Sequence, residues 1–281
     1  MVSLMPKKSA SLVDDFQQYF NLALATTPSQ LEDVYRVRYR VYCEEFQYES
    51  ADAFPSQLET DEFDVIARHC LVSHKASGMP AGCARLVLAD EQQLMPMEKF
   101  CSGAIDPKII RAFDGKRHTV CEFSRLGVDG AFRRRPGEHE SRFGEISALD
   151  CSQREQRTFS LIAVATVLSA LAMSELIGRP HCFAMMESFL PRLLRRSGIV
   201  VKSAGEDTEY HGTRAPYFWE TREVVSNMAD ELQDFYAAIY ADFAATGQLS
   251  PGIAEIAHKS RCAPQPVAAG WSPLSGPQFA F

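Results

Sequence analysis

A central twisted mixed sheet flanked by helices, an α/β (α+β) fold with a C-terminal helical extension, is the architecture this sequence predicts. Three observations carry it: a helical apolar stripe at residues 29–46, strand patterns at 65–73, 81–89 and 119–128, and a long apolar helix at about 158–177 followed by further short strands. At 281 residues and 46% hydrophobic, the chain can bury one large core or two small ones.

Ser29 and Glu32 make a capping-box pattern, and Leu31, Val34, Tyr35, Val41 and Tyr42 follow at helical spacing. Arg38 falls inside that stripe. A guanidinium cannot shed its charge, so the core it faces must supply a carboxylate or a bound anion. Val65–Ser73 and Ala81–Ala89 read as a hairpin joined through Lys75-Ala76-Ser77-Gly78-Met79-Pro80. In a third strand, Thr119–Val128, alternation puts Val120, Glu122, Ser124, Leu126 and Val128 on one face, with Phe123 and Arg125 on the other.

Residues 129–157, charged and turn-rich, are expected to be a surface insertion. Gly178 and Pro180 stop the long helix, and Cys182–Met186, Phe189–Arg196 and Ile199–Ser203 read as strand, helix and strand. Residues 1–222 form the expected main domain, 223–246 an amphipathic helix, and 247–281 a proline-rich, loosely ordered tail.

Lys and Arg number 29 against 36 Asp and Glu, and the net charge of −7 argues against general attraction to nucleic acid or anionic membrane. Leu161–Met173 is too short and too interrupted to span a bilayer. The start, MVSLMPKKSA, has no apolar h-region, and the eight cysteines form no C-x-x-C pair, so free thiols in a reducing cytoplasm are expected. His69, His118, His139 and His181 have no metal-ligand spacing, and no metal is expected.

Glu59, Asp61 and Asp64, with Glu62, form an acidic cluster that alone reads as a solvated loop. Glu122 is different, because a carboxylate inside an apolar strand must pair with a cation or take up a proton. Arg38, Arg85 and Arg125 all sit in apolar elements and are available to it, as a structural ion network or as part of a site.

Arg38, Tyr42, Tyr48, the Glu59-x-Asp61-x-x-Asp64 run, Arg85 and the Glu122-x-Ser124-Arg125 strand follow one another in the order seen in a known group. Over about residues 14–222 the chain resembles the acyl-homoserine-lactone (autoinducer) synthases and their N-acyl amino acid synthase relatives, which have the GNAT acyltransferase fold. Ser124-Arg125-Leu126-Gly127-Val128 with Phe132-Arg133-Arg134-Arg135, and Tyr210-His211-Gly212-Thr213-Arg214-Ala215-Pro216-Tyr217, look most like the acyltransferases associated with PEP-CTERM/exosortase systems. Two departures bear on the acceptor and the carrier. Tyrosines stand at 42 and 48 where the autoinducer synthases have phenylalanine and tryptophan, and the insertion and tail lengthen the chain.

The resemblance implies an N-acyltransferase that moves a fatty acyl chain from an acyl carrier protein or coenzyme A thioester to the amine of an amino acid or related small acceptor. Acyl-ACP or acyl-CoA is then a co-substrate, acyl carrier protein the partner, and no cofactor is tightly held. Glu122 and Glu59 are implied to receive the amine proton, and Asp61 and Asp64 to hold the ammonium or the basic residues around it. Arg38 orders the acidic loop, Arg85 and Arg125 anchor the strands with Ser124, and Tyr42 and Tyr48 line the entrance. Phe123, Leu126, Gly127 and Val128 would meet the pantetheine arm. Arg134-Arg135-Pro136-Gly137 is half of the fold's phosphate loop, and Arg133–Arg135 would receive the acidic carrier. Two other functions fit the same residues: an autoinducer synthase using S-adenosylmethionine, and a non-catalytic module of this fold that binds acyl carrier or lipid.

Overall fold

The computed structural model describes residues 11–133 and 152–249. Arg134 and Gly137, the rest of the insertion to residue 151, and the tail from residue 250 lie outside the described residues. The chain runs α1 (Leu12–Tyr19), β1 (Phe20–Leu24), α2 (Pro28–Arg38), β2 (Ala67–His74), β3 (Pro80–Leu88), α3 (Pro96–Phe100) and α4 (Pro107–Arg111). It continues with β4 (Val120–Val128), α5 (Gln153–Gln156), α6 (Ser160–Leu176), β5 (His181–Glu187), α7 (Leu190–Arg196), β6 (Lys202–Ser203), β7 (Thr208–Glu209), β8 (Thr213–Glu220), α8 (Thr221–Asn227) and α9 (Asp230–Thr246).

One sheet of eight strands results, in the order β1-β2-β3-β4-β5-β8-β6 with β7 beside β8. Every pairing is antiparallel except that of β4 with β5. That parallel pairing covers only Val120–Glu122 against His181–Phe183, after which the two strands part. The sheet therefore opens immediately beyond Glu122.

Period-2 alternation divides the core. Cys70, Val72, Ala84, Leu86 and Cys121 face α6 and pack on Ile162, Ala165 and Leu168, while Leu71 and Cys83 face α2 and pack on Val34, Val37 and Val41. Gly82 lets α6 lie close, since a Cβ there would stand 2.8 Å from the Ile162 methyl. A third cluster, with Met95, Met97, Ile105, Val120 and Phe183, ties α3 and the α4 region to the β4/β5 junction.

Several expected elements shift. The cap of α2 is Thr27, which exchanges hydrogen bonds with Gln30, because Pro28 occupies the first helical position and Ser29 is already inside the helix. Beyond Arg38 the helix widens into a π-helical stretch, Tyr39–Glu45. The helix expected at 223–246 is α8 and α9, and α9 buries Phe235, Ile239 and Phe243 in the main core beside α6. The strand expected at Ile199–Ser203 is reduced to Lys202–Ser203, while α1, β1 and β8 escaped the pattern reading.

Gly205 abuts the Ala104 carbonyl, where an added Cβ would fall 1.9 Å from the oxygen, and this approach seats the α3–α4 segment against the strand below. Gly205→Ala is expected to cost about 1–3 kcal/mol, read as a lower midpoint in urea. No helix among the described residues is long and apolar enough to cross a membrane.

Candidate active site

Arg38 leaves the last turn of α2 fully buried and meets the carboxylates the sequence demanded. Its Nε donates to Glu59, and Nη1 donates to Asp64 Oδ1 at 2.6 Å. Arg85 on β3 donates from Nε to Ser124 Oγ at 3.0 Å and from Nη1 to Asp61 at 2.5 Å and Asp64 at 3.0 Å. Arg125 reaches Glu59 at 3.0 Å and Glu49 at 3.1 Å. The 59–64 cluster is thus a buried ion-pair knot rather than a solvated loop.

Local turns preset this geometry. Asp61 caps the 3₁₀ turn Glu62–Ile66 by accepting from Phe63 N at 2.9 Å, and Asp64 Oδ2 accepts from Asp61 N at 2.7 Å. Burial alone would raise the Glu59 carboxyl, but Arg38 and Arg125 outweigh it and bring it down to about 2. Asp64 is likewise resisted by burial and driven below the ordinary carboxylate range by Arg38 and Arg85. Both are locked as anions and are poor proton acceptors near neutrality.

Arg125 departs from the strict alternation. Its φ of +48° puts a non-glycine residue in the left-handed region, and the β3/β4 register slips between Cys83↔Gly127 and Arg85↔Ser124. This bulge swings Arg125 away from the Phe123 face, where Phe123 packs edge-on against Trp219, and into the ion knot. Parity reverses beyond it, so Val128 joins the α6-side core and Leu126 is exposed. Such a conformation costs about 1–3 kcal/mol and persists where surrounding contacts impose it, here the three hydrogen bonds to Glu59.

Glu122 stays outside the knot. Buried at 3% exposure, it accepts Met97 N from the first turn of α3 at 2.9 Å. Burial pushes its carboxyl up to about 8, which the Met97 N–H and Arg85 only partly offset. Of the two carboxylates, it alone titrates near neutral pH. α3 itself is held by the Arg117–Glu98 pair, two parallel hydrogen bonds at 2.7 and 2.5 Å. The Cys83 and Cys70 thiols are raised by burial to about 12 and Cys101 to about 11, so none of the three supplies a thiolate nucleophile.

Aromatic rings wall the remaining side. The Tyr42 hydroxyl donates to the Leu126 carbonyl at 3.1 Å, with the Arg125 guanidinium over its ring at 5.1 Å. Tyr48 stacks on Phe46 and meets Tyr42 and His211, with Arg214 over it at 5.2 Å. The β7–β8 hairpin tip roofs this wall: Tyr210 stacks on Phe100 and meets His211 at a tilt, and two positive-φ residues, His211 (+54°) and Gly212 (+90°), fold the tip inward. Burial, Arg125 and Arg214 together hold the His211 imidazole down to about 4. Glu49, Tyr210, His211 and Arg214 carried no assigned role in the sequence reading, and a Tyr-His-Gly turn between short strands was the signal available for them.

On the donor side, Phe123, Leu126, Gly127 and Val128 lie along the β4 segment beyond its pairing with β5. Arg133 is already occupied, donating to the Val128 carbonyl at 2.7 Å and pairing with Glu45. Exposed basic residues outside any ion pair among the described residues include Arg192, Arg195 and Arg196 of α7, the helix that follows β5. Two surface hollows, about 310 Å³ between α1, β1 and α9 and about 220 Å³ beside Glu98, Ile105 and Ile110, are lined by none of the knot residues or Glu122.

Residues 37–139 match the family described as acetyltransferase (GNAT) domain, a segment that contains Arg38, the acidic loop and all of β4. No curated protein matches the chain in sequence. Its fold matches TofI, solved in a ternary complex with an inhibitor and MTA, with 16% identity, coverage of 76% of this chain and 96% of that one, and a TM-score of 0.51. The fold is the GNAT fold. FeeM, an N-acyl amino acid synthase from uncultured soil microbes, superposes at a TM-score of 0.50 with 12% identity over 77% of this chain and 97% of its own. The family match marks an acyltransferase. In this GNAT fold, Glu122 lies where β4 and β5 part, two residues before Ser124, which Arg85 of the ion knot holds.

Proposed function

We propose that the protein is an N-acyltransferase that moves a fatty acyl chain from an acyl carrier protein or coenzyme A thioester to the amine of an amino acid or related small acceptor. The observation that carries this reading is Glu122, a buried carboxylate poised near 8 at the last paired residue before β4 and β5 separate. A general base is most effective with a pKa near the working pH, and amide formation needs one to take the amine proton.

Beyond Glu122, the β5-facing edge of β4 has no strand partner, so its backbone N–H and C=O groups suit the two amides of a pantetheine arm laid alongside. A backbone N–H from the same edge would polarise the thioester carbonyl. The amine then attacks, the C–N bond forms, Glu122 takes the proton, and the C–S bond breaks with departure of the thiolate. The four carboxylates of the knot outnumber its three guanidiniums. The two with the greater side-chain exposure, Glu49 at 29% and Asp61 at 24%, suit the ammonium of the incoming acceptor.

An acidic carrier protein would dock on α7, where Arg192, Arg195 and Arg196 surround Phe189 and Leu193, both more than half exposed, close to the end of β5. Donors and acceptors of this kind place the reaction in the cytoplasm.

Release of free thiol from acyl-CoA and acyl-carrier donors across a panel of amines tests the reaction, and mass spectrometry of the product reads head group and chain length together. Amine-dependent thiol release with an N-acyl amino acid product is expected. An acyl-homoserine lactone would replace the amino acid reading by the autoinducer one, and donor binding without any acylated product would leave a binding module.

A further inference from the structure

Among the described residues, the Glu122 carboxylate is held by one hydrogen bond, from Met97 N at 2.9 Å. Whatever fixes that N–H therefore acts on the proposed base. Met97 lies in α3, which at five residues is too short to be stable alone, so tertiary contacts must orient it. Met95 and Met97 anchor it in apolar surroundings, and Glu98 is its buried charged anchor. Glu98 accepts Met95 N at 2.8 Å, closing the first turn, and receives both Arg117 Nη groups at 2.7 and 2.5 Å.

Arg117 belongs to the 3₁₀ turn Arg117–Thr119 that leads directly into β4. Its own carbonyl and that of Val120 both accept from Arg179 Nη1, at 3.4 and 2.9 Å, which pins the turn to the strand. The contacts close a ring: Arg117 grips Glu98, α3 carries Met97, the Met97 N–H meets Glu122, and β4 leads back from Glu122 to Arg117.

The other charged or titratable groups facing Glu122 are Arg85 from β3, Arg125 and Cys121 from β4, Cys101 just beyond α3, and Tyr210 from the β7–β8 tip. Its register partner on β5, Phe183, is apolar. Arg85 and Arg125 are committed to the knot, and burial keeps the two thiols and the phenol protonated at neutral pH. What remains to set the behaviour of this carboxyl is the placement of α3, which brings it both the Met97 N–H and the Glu98 charge.

Resting on the N-acyltransferase reading, we propose that Arg117 is a positioning residue for the reaction: through its two bonds to Glu98 it holds the Met97 N–H on Glu122, and so sets the pH at which Glu122 accepts the amine proton. A hydrogen bond to the ionised form favours ionisation, so a displaced Met97 N–H leaves Glu122 a base only at higher pH. A Glu98 anion stripped of its cation pushes the same way.

The test follows kcat/KM for amine acylation against pH, and the Glu122 carboxyl itself by carbon NMR of labelled glutamate, assigned by the signal missing from Glu122→Gln. Arg117→Gln is expected to move the rising limb up by about one pH unit, equivalent to one charge-assisted hydrogen bond, with the NMR titration moving in step. Activity at pH 7 then falls about 10-fold and recovers as the pH is raised. Arg117→Lys should shift the limb less, because an ammonium still compensates Glu98 but lacks the two-pronged geometry. The double variant Glu98→Gln with Arg117→Gln leaves no unpaired buried charge and decides the matter if the single variant fails to fold; its limb should still move up, by less. A limb that stays in place while kcat/KM falls equally at every pH overturns the proposal. So does a shift that disappears in the double variant, which would leave only the charge of Glu98. If wild type acylates no amine at all, the N-acyltransferase reading falls and this inference with it, whereas acylation with an unmoved limb removes only the inference.

Discussion

Glu122→Gln is expected to lower kcat/KM for acyl transfer by about 10²- to 10⁴-fold while raising stability at alkaline pH. Glutamine keeps an acceptor for Met97 N and the same shape, but it cannot take the amine proton. The stability change follows from linkage. Glu122 has its folded-state pKa raised from 4.5 to about 8, so between those values the folded chain keeps a proton that the unfolded chain has released. Raising the pH across that window therefore removes stability, by up to about 1.4 kcal/mol per pH unit. The uncharged variant escapes this loss. Thermal midpoints of wild type and variant should coincide near pH 4 and separate steadily up to pH 8, the variant higher. Parallel curves would mean that the carboxyl titrates normally and is not the poised base.

Arg38→Met is the variant expected to damage the fold most. It removes the shared cation of Glu59 and Asp64, both nearly buried, and leaves two anions with reduced compensation. Breaking a buried pair from one side costs about 3–5 kcal/mol, which corresponds to a midpoint roughly 10 °C lower for a chain of this size. Lys99→Met provides the contrast. Its bridge to Glu62 is exposed at both ends, 43% and 57%, and such pairs contribute up to about 1 kcal/mol. The same knot sets acid behaviour: the Glu59 carboxyl is depressed from 4.5 to about 2, so its contribution is present above pH 4.5 and is lost as the pH falls through 2. Comparable losses from Arg38→Met and Lys99→Met in urea titrations would show that the knot adds nothing beyond surface electrostatics.

Much of this was legible before any coordinates. Periodicity located α2, β2, β3, β4, α6, β5 and α7 to within a few residues, since each buries one face and so must repeat at 3.6 or 2. The demand of Arg38 for a carboxylate was also legible, because a permanent charge in an apolar stripe admits no other remedy. Short edge elements were harder to see. β1 and β8 take their stability from neighbours distant in sequence, and β6 and β7 are two residues each, too brief to show a period.

The ordered run from Arg38 to Arg125 by itself showed that three buried arginines need carboxylates, since buried charges of opposite sign must find one another, but not that Glu122 stays apart from them or that Glu49 joins. It did not determine how they divide the work. Glu59 and Glu122 are the same residue type in one chain, yet two guanidiniums hold the first as an anion while an apolar enclosure with a single N–H keeps the second near neutrality. That difference, like the left-handed Arg125 that redirects β4 and the inward-folded tip that brings Arg214 beside Tyr48, depends on the dielectric and geometry of contacts between distant segments. Only the tertiary structure sets those.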